Sequence, residues 1–328
     1  MSVSRAIGGY FGWEPTKNAT TAWWSQAAAV QSGRMALRLA LPTTPATLWL
    51  PAYFCAPVAD GFEAAGWRLR RYALADDFGP DHTVQPEAGD RVLLVDYFGL
   101  CSSALDRAVT RFGKDVVIVD ASMAWFSSPR EGVPTAYSPR KFVGVPDGGI
   151  LVTKAALADV LPADEAASQA RTAHLVKREA GDVAGGRPDF ALAEASLDAD
   201  THPRAMSMLT RQRLACIDWS RVARRRRSNA QRLSAGLRAM GRSETVLDED
   251  VVPLCWPLFG VDAPAWRVAL AACGIFCPAY WPGLTLPDHD VVGRRLLEAT
   301  LCLPMDQRYG DEDMDYLLQS IDDLRSKA

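Results

Sequence analysis

Apolar residues in this chain gather into short blocks, and between the blocks they recur every three or four positions. Between Thr47 and Thr153 the blocks are Thr47–Leu50, Trp67–Leu74, Arg91–Asp96, Val116–Asp120 and Gly149–Thr153. Blocks of this length, mostly aliphatic and β-branched, suit strands covered on both faces. Helical spacing falls between them at Val58–Ala65, Ser103–Phe112 and Ala155–Leu161, and an earlier helix, Gly33–Ala40, follows Ser32. Strand–helix alternation predicts an α/β domain on a mostly parallel sheet. Ala166–Pro203 is rich in Ala, Asp and Gly and shows no clear period, whereas Met206–Met240 reads as one long helix or two. After Val251 the texture changes to a strand (Val252–Phe259), a helix (Ala263–Cys273), the segment Ile275–Pro282 and a last helix (Glu312–Ser326). The expected organisation is an arm over 1–25, a large α/β domain over 26–234 and a small α+β domain over 235–328.

Composition narrows the classes. At 328 residues and 48% hydrophobic content the chain can fill a large core and a smaller one. A formal net charge of -3 gives no basis for nucleic acid or an anionic membrane as a main partner. The run Arg224–Arg227 is a local exception and reads as a solvated helix face. The seven cysteines include no CxxC pair, and the four histidines (82, 174, 202, 289) have no ligand spacing and read as surface or loop residues. No metal site is expected. Free thiols, no basic-then-apolar leader and no span of bilayer length suggest a soluble, cytoplasmic protein.

The candidate chemistry lies between Val116 and Gly149. Asp120 closes a strand block, and Lys141 follows it by 21 residues, just before the turn Gly148–Gly149. Pyridoxal phosphate chemistry needs this pair: an amine that forms a Schiff base with the cofactor aldehyde, and a carboxylate that keeps the pyridine nitrogen protonated. The segments Pro51–Phe54, Asp96–Gly99 and Tyr137–Ser138 also follow strand blocks, where ligands of α/β sheets bind.

From about residue 30 onward the chain resembles the DegT/StrS family of pyridoxal-phosphate sugar aminotransferases. Ser32–Leu41 is similar to the family's "SGT" loop and helix, Val119–Ala121 to its strand-end aspartate, and Lys141 with Gly148–Gly149 to its lysine and Gly-Gly turn. The resemblance implies fold type I, with helices on both faces of the sheet, and a homodimer. It also implies transfer of an amino group from a donor such as glutamate to a keto group, by resemblance that of a nucleotide-linked sugar. Lys141 and Asp120 would be catalytic. Ser32, Gly33, Arg34 and Ser138 would meet the cofactor phosphate, where a helix N-terminus favours an anion. Tyr53 or Phe54 would stack on the ring and Met123 would lie against it. Arg140 would receive a donor carboxylate, and Tyr280 and Trp281 would wall the substrate pocket.

The chain departs from the family pattern at Arg34, Cys55, Asp96, Met123, Ala136 and Pro203, where the family has threonine, an aromatic, histidine, glutamine, serine and asparagine. These departures keep two alternatives open: elimination or dehydration on a sugar with the same cofactor, and a cofactor-binding regulatory protein without turnover.

Overall fold

The computed structural model describes residues 6–17, 24–154, 161–242, 247–248 and 250–326. In chain order the elements are β1 (Ile7–Gly8), β2 (Ala28–Val30), α1 (Gly33–Ala40), β3 (Thr47–Pro51), α2 (Ala56–Ala64), β4 (Arg68–Tyr72), β5 (Arg91–Val95), α3 (Ser102–Phe112), β6 (Val117–Ala121), β7 (Thr135–Tyr137) and β8 (Gly149–Val152). There follow α4 (Glu165–Ala170), α5 (Ala173–Glu179), α6 (Val183–Ala199), α7 (Met208–Ala215), α8 (Trp219–Ala239), β9 (Trp256–Phe259), α9 (Ala263–Ala272), β10 (Ile275–Phe276), α10 (Val291–Glu298), β11 (Thr300–Leu303) and α11 (Asp311–Arg325).

Seven strands form the central sheet in the order β2-β8-β7-β6-β5-β3-β4. Only β8 runs against its neighbours. The order reverses direction along the sheet, which opens a crevice at the carboxyl ends of the strands. β8 enters the sheet at that same edge, with Gly149 opposite Val30. Each residue of β3 and β6 is buried, as expected for strands covered on both sides.

Two hydrophobic cores divide the molecule. The first surrounds the central sheet and also takes in Val292, Leu296 and Cys302. The second gathers Ile7, Ala230, Leu233 and Leu237 with β9, β11 and the apolar face of α11. Thus α8 serves both, with Val222 in the first and its later turns in the second. The N-terminal stretch lies on its own chain: β1 pairs in parallel with β10, and Tyr10 donates to the Val183 carbonyl at 2.6 Å.

Several expectations change here. The aperiodic stretch 166–203 is largely taken up by the three helices α4, α5 and α6, and of the two readings of 206–240 the structure has two helices, α7 and α8, broken before Trp219. Asp218 caps α8 by accepting from the Arg221 N–H at 2.9 Å. The strand expected over Val252–Phe259 is shortened to β9. The helix expected at Ala155–Leu161 lies outside the described residues but for its last residue, which is in no element. His174 is buried rather than on the surface, packed in α5 against Phe190 and Tyr10. Burial, with Arg140 nearby, pushes its pKa down to about 4, so it sits there neutral. No helix among the described residues is long and apolar enough to cross a membrane.

Candidate active site

Five segments meet at the carboxyl edge of the sheet. Ser32 follows β2, Ala52–Phe54 follow β3, Asp96 follows β5, Asp120 sits next to last in β6, and Ser138 follows β7. Register fixes their heights: Asp120 lies opposite Val95 on one side and Ala136 on the other.

Lys141 ends a short 3-10 turn, Pro139–Lys141, whose Phe142 N–H donates to the Pro139 carbonyl at 2.8 Å. Proline at the head of the turn fixes its backbone and gives up an N–H that the turn does not use. The Lys141 ammonium lies 5.5 Å from the ring centre of Tyr280 and 5.8 Å from that of Trp281. It makes no hydrogen bond or ion pair with the described residues. Burial lowers its pKa from the ordinary lysine value, and the Asp120 carboxylate opposes that shift. Asp120 behaves in mirror image. Burial raises its carboxyl, while Lys141 and the Ser122 N–H, which it accepts at 2.8 Å, pull it back down. The two groups therefore read each other's charge across the edge without being locked in a salt bridge.

Beside them is a glycine-built junction. Ser32 caps α1 by accepting from the Met35 N–H at 3.1 Å, and it bridges to Gly148. A Cβ on Gly149 would stand 2.1 Å from the Ser32 carbonyl oxygen and 2.6 Å from the Gly33 nitrogen. Gly33 in turn opens toward Ser138, whose Cβ would lie 3.0 Å from an added Cβ. Ser138 is buried, and its hydroxyl bonds to none of the described residues. The start of α1, the Gly148–Gly149 turn and Ser138 thus pack closely at one junction. Gly149→Ala is expected to force this backbone apart. It should cost roughly 1–3 kcal/mol or more in a urea melt.

Other expected residues fall elsewhere. Met123 and Phe54 are 0% exposed, enclosed by protein, so neither has a surface to offer a ring. Tyr53 is nearly as buried and donates its hydroxyl to the Tyr280 carbonyl at 3.3 Å. Tyr53 and Phe54 instead support Trp281, with ring centres 4.9 and 5.9 Å away. Trp281 itself has φ 51°, a left-handed conformation costly for so bulky a residue. Arg34 and Arg140 both turn toward α6: Arg34 pairs with Asp198 and Arg140 with Glu194. Burial alone would raise the Glu194 carboxyl, but Arg140 holds it below the ordinary value.

Two residues at the site escaped the reading of the chain. Cys55 heads α2 close enough to Lys141 and Asp120 to feel both charges, although burial dominates and raises its thiol pKa. Its signal was its place in the sequence, where the resemblance puts a ring-stacking aromatic. Glu194 had none, because it stands in the stretch without a period.

No protein-family model and no curated protein sequence matches this chain. Solved structures do. A DegT DnrJ EryC1 StrS aminotransferase from Brucella abortus superposes with a TM-score of 0.61 at 16% identity, over 91% of this chain and 85% of that one. The sugar aminotransferase CalS13 from Micromonospora echinospora gives 0.58 at 18%, over 90% and 86%. Spr1654 from Streptococcus pneumoniae in its PLP-form gives 0.63 at 14%, over 97% and 99%. The chain has the fold of these aminotransferases.

Proposed function

We propose that this chain, folded as the DegT/DnrJ/EryC1/StrS aminotransferases are, is a pyridoxal-phosphate-dependent aminotransferase. It would move an amino group from a donor such as glutamate to a keto group on a sugar, of the nucleotide-linked class. The observation that supports this most is the placement of Asp120, Ser138 and Lys141 at and just after the carboxyl ends of the neighbouring strands β6 and β7.

The residues present fit the cofactor. The start of α1 lies beside the Gly148–Gly149 turn and Ser138, so a helix N-terminus and an unpartnered hydroxyl, groups that favour a phosphate, stand together. Asp120 offers a buried carboxylate to a ring N–H. Arg34 is engaged with Asp198 and is left out of the phosphate set. When bound, the cofactor supplies an aldehyde for an amine to attack and a ring that accepts electrons. Lys141 supplies the amine. Its lowered proton affinity leaves more of it neutral near pH 7 than a surface lysine, as a nucleophile and proton carrier requires. Tyr280 and Trp281 close the site on the side of the ammonium and exclude water there. Arg140 holds Glu194 through one guanidinium nitrogen and its buried Nε has no partner among the described residues, so it keeps donors for a substrate carboxylate while paired with α6. On the same reading the protein works as a homodimer in the cytoplasm; its seven unpaired cysteines agree with a reducing compartment.

The direct test incubates purified protein with pyridoxal phosphate, glutamate and a nucleotide-linked keto-sugar. Stoichiometric 2-oxoglutarate and aminated sugar are expected. Keto-acid release without aminated product would refute transamination.

Asp120→Asn separates function from stability. Burial raises the folded-state pKa of Asp120 above its unfolded value, so the folded chain holds that proton more tightly. The ionised carboxylate therefore costs stability above the folded pKa, and the cost vanishes below the unfolded one. Asn keeps an acceptor for the Ser122 N–H without the charge. At pH 7 the cofactor-free variant is expected to melt about 2 °C or more above the parent. Turnover is expected to fall on the order of 10²–10³-fold.

A further inference from the structure

The basic run Arg224–Arg227 does not behave as one solvated face. Arg225 reaches Asp311 at 3.4 Å, and Arg226 is wholly buried. Arg224 and Arg227, three positions apart on α8, line a pocket of about 530 Å³ between the first turns of that helix and the loop 125–129. Trp125, Phe126 and Trp219 supply its apolar walls, and the hydroxyls of Ser127, Ser128 and Ser220 its neutral polar groups. No carboxylate lines it.

Neither guanidinium is held in an ion pair, Arg224 being exposed and Arg227 half-buried. Among the described residues neither Arg224 nor Arg227 makes a hydrogen bond or ion pair, and the Nε of Arg227 is sealed from solvent with no acceptor. Asp218, the acid that feels Arg224, is already held by Lys17 at 2.6 Å and caps α8. Arg227 also borders a neighbouring cavity of about 200 Å³, where Asp248 lies without bonding to it. An enclosed donor such as the Arg227 Nε is rarely left unsatisfied.

We infer that this pocket is a binding site for a phosphate monoester that carries a planar ring. Two forked cations one helical turn apart suit a dianion with several acceptor oxygens. The aromatic walls suit a flat organic group, and the volume falls within the roughly 300–1,000 Å³ of small-molecule sites. The pocket is separate from Lys141 but shares a wall with its surroundings. The Phe126 ring is 5.8 Å from that of Phe142, the next residue after Lys141, and Trp125 is 6.2 Å from Tyr137 at the end of β7.

The test is calorimetric titration of the full chain with phenyl phosphate, uridine monophosphate and inorganic phosphate. At least one ester is expected to bind, and inorganic phosphate to bind about tenfold more weakly or not at all. Arg224→Gln and Arg227→Gln should each weaken the ester about tenfold, from lost charged hydrogen bonds. Ser220→Glu, at an exposed position that keeps the helix intact, should abolish binding by adding a carboxylate. Lys141→Ala should leave it unchanged. Uridine monophosphate binding far more tightly than phenyl phosphate would identify a nucleotide as the source, and equal binding any aryl phosphate. The inference fails if neither ester binds, if inorganic phosphate binds as tightly, or if binding survives the arginine and Ser220 variants. It fails equally if those variants change the protein's mass in solution instead, which would make the pocket a subunit contact.

Discussion

Lys141→Ala is expected to abolish amino-group transfer and covalent capture of pyridoxal phosphate together. Removing a positioned proton carrier alone costs roughly 10²–10⁴-fold in rate, and on the proposed function the same amine is also the attachment point. The parent, mixed with cofactor and reduced with borohydride, should yield a tryptic peptide labelled at Lys141; the variant should yield none. Arg at this position would keep the charge and lose the nucleophile, so it should fail equally. Because burial lowers the pKa of Lys141, an amine-acylating reagent should label it at lower pH than surface lysines, as mass spectrometry would read. A variant that keeps its yellow colour and is reduced onto another lysine would remove Lys141 from the mechanism.

Arg226→Met is expected to be the most destabilising single change away from that site, by about 3–5 kcal/mol. The guanidinium is 0% exposed and donates to Gln307 Oε1 at 2.8 Å and to the carbonyls of Leu254 at 3.0 Å, Phe142 at 3.2 Å and Pro253 at 3.4 Å. It also lies over the Phe142 ring at 4.7 Å. Burial pulls its pKa down to about 10, so it stays charged at neutral pH. Methionine fills much of the volume but leaves these acceptors in a dry interior, and Lys cannot reproduce the planar fork. Urea denaturation should show the loss. An unchanged midpoint would mean that water replaces the guanidinium at no cost. A second readout follows from Phe142: its carbonyl precedes Val143 in the turn that carries Lys141, so the variant should also bind cofactor more weakly.

The layout of the large sheet was legible because its strands are short aliphatic blocks and its helices keep a clear period. Strands β3, β5, β6 and β8 fall where those blocks stand. β2 and β7 have three residues each, too few for a pattern. α6 was hidden by composition: Gly185, Gly186 and Pro188 lower its propensity, and contact with α5 and the arm sustains it instead. At the candidate site, residues bound to a strand end could be placed by counting, as with Asp120, Ser138 and Lys141. Residues whose position depends on distant segments could not. Arg34 and Arg140 find their partners on α6, and Phe54 is enclosed beneath Trp281, some 227 positions along the chain. Arg226 illustrates the same limit, since a basic run gives no sign that one member will face inward.

The Phe142 carbonyl also accepts from Gln307 Nε2 at 2.7 Å, and that same amide donates to Glu14 at 2.7 Å. Residues 293 positions apart therefore meet at the Phe142 carbonyl, one residue past Lys141. Closing so long a loop comes late in folding. A chain cut short before Gln307 would carry Lys141 in a half-built nest, so it should hold pyridoxal phosphate less well than one that includes that residue. Pull-down with the cofactor should recover chains that include Gln307 and not ones ending before it.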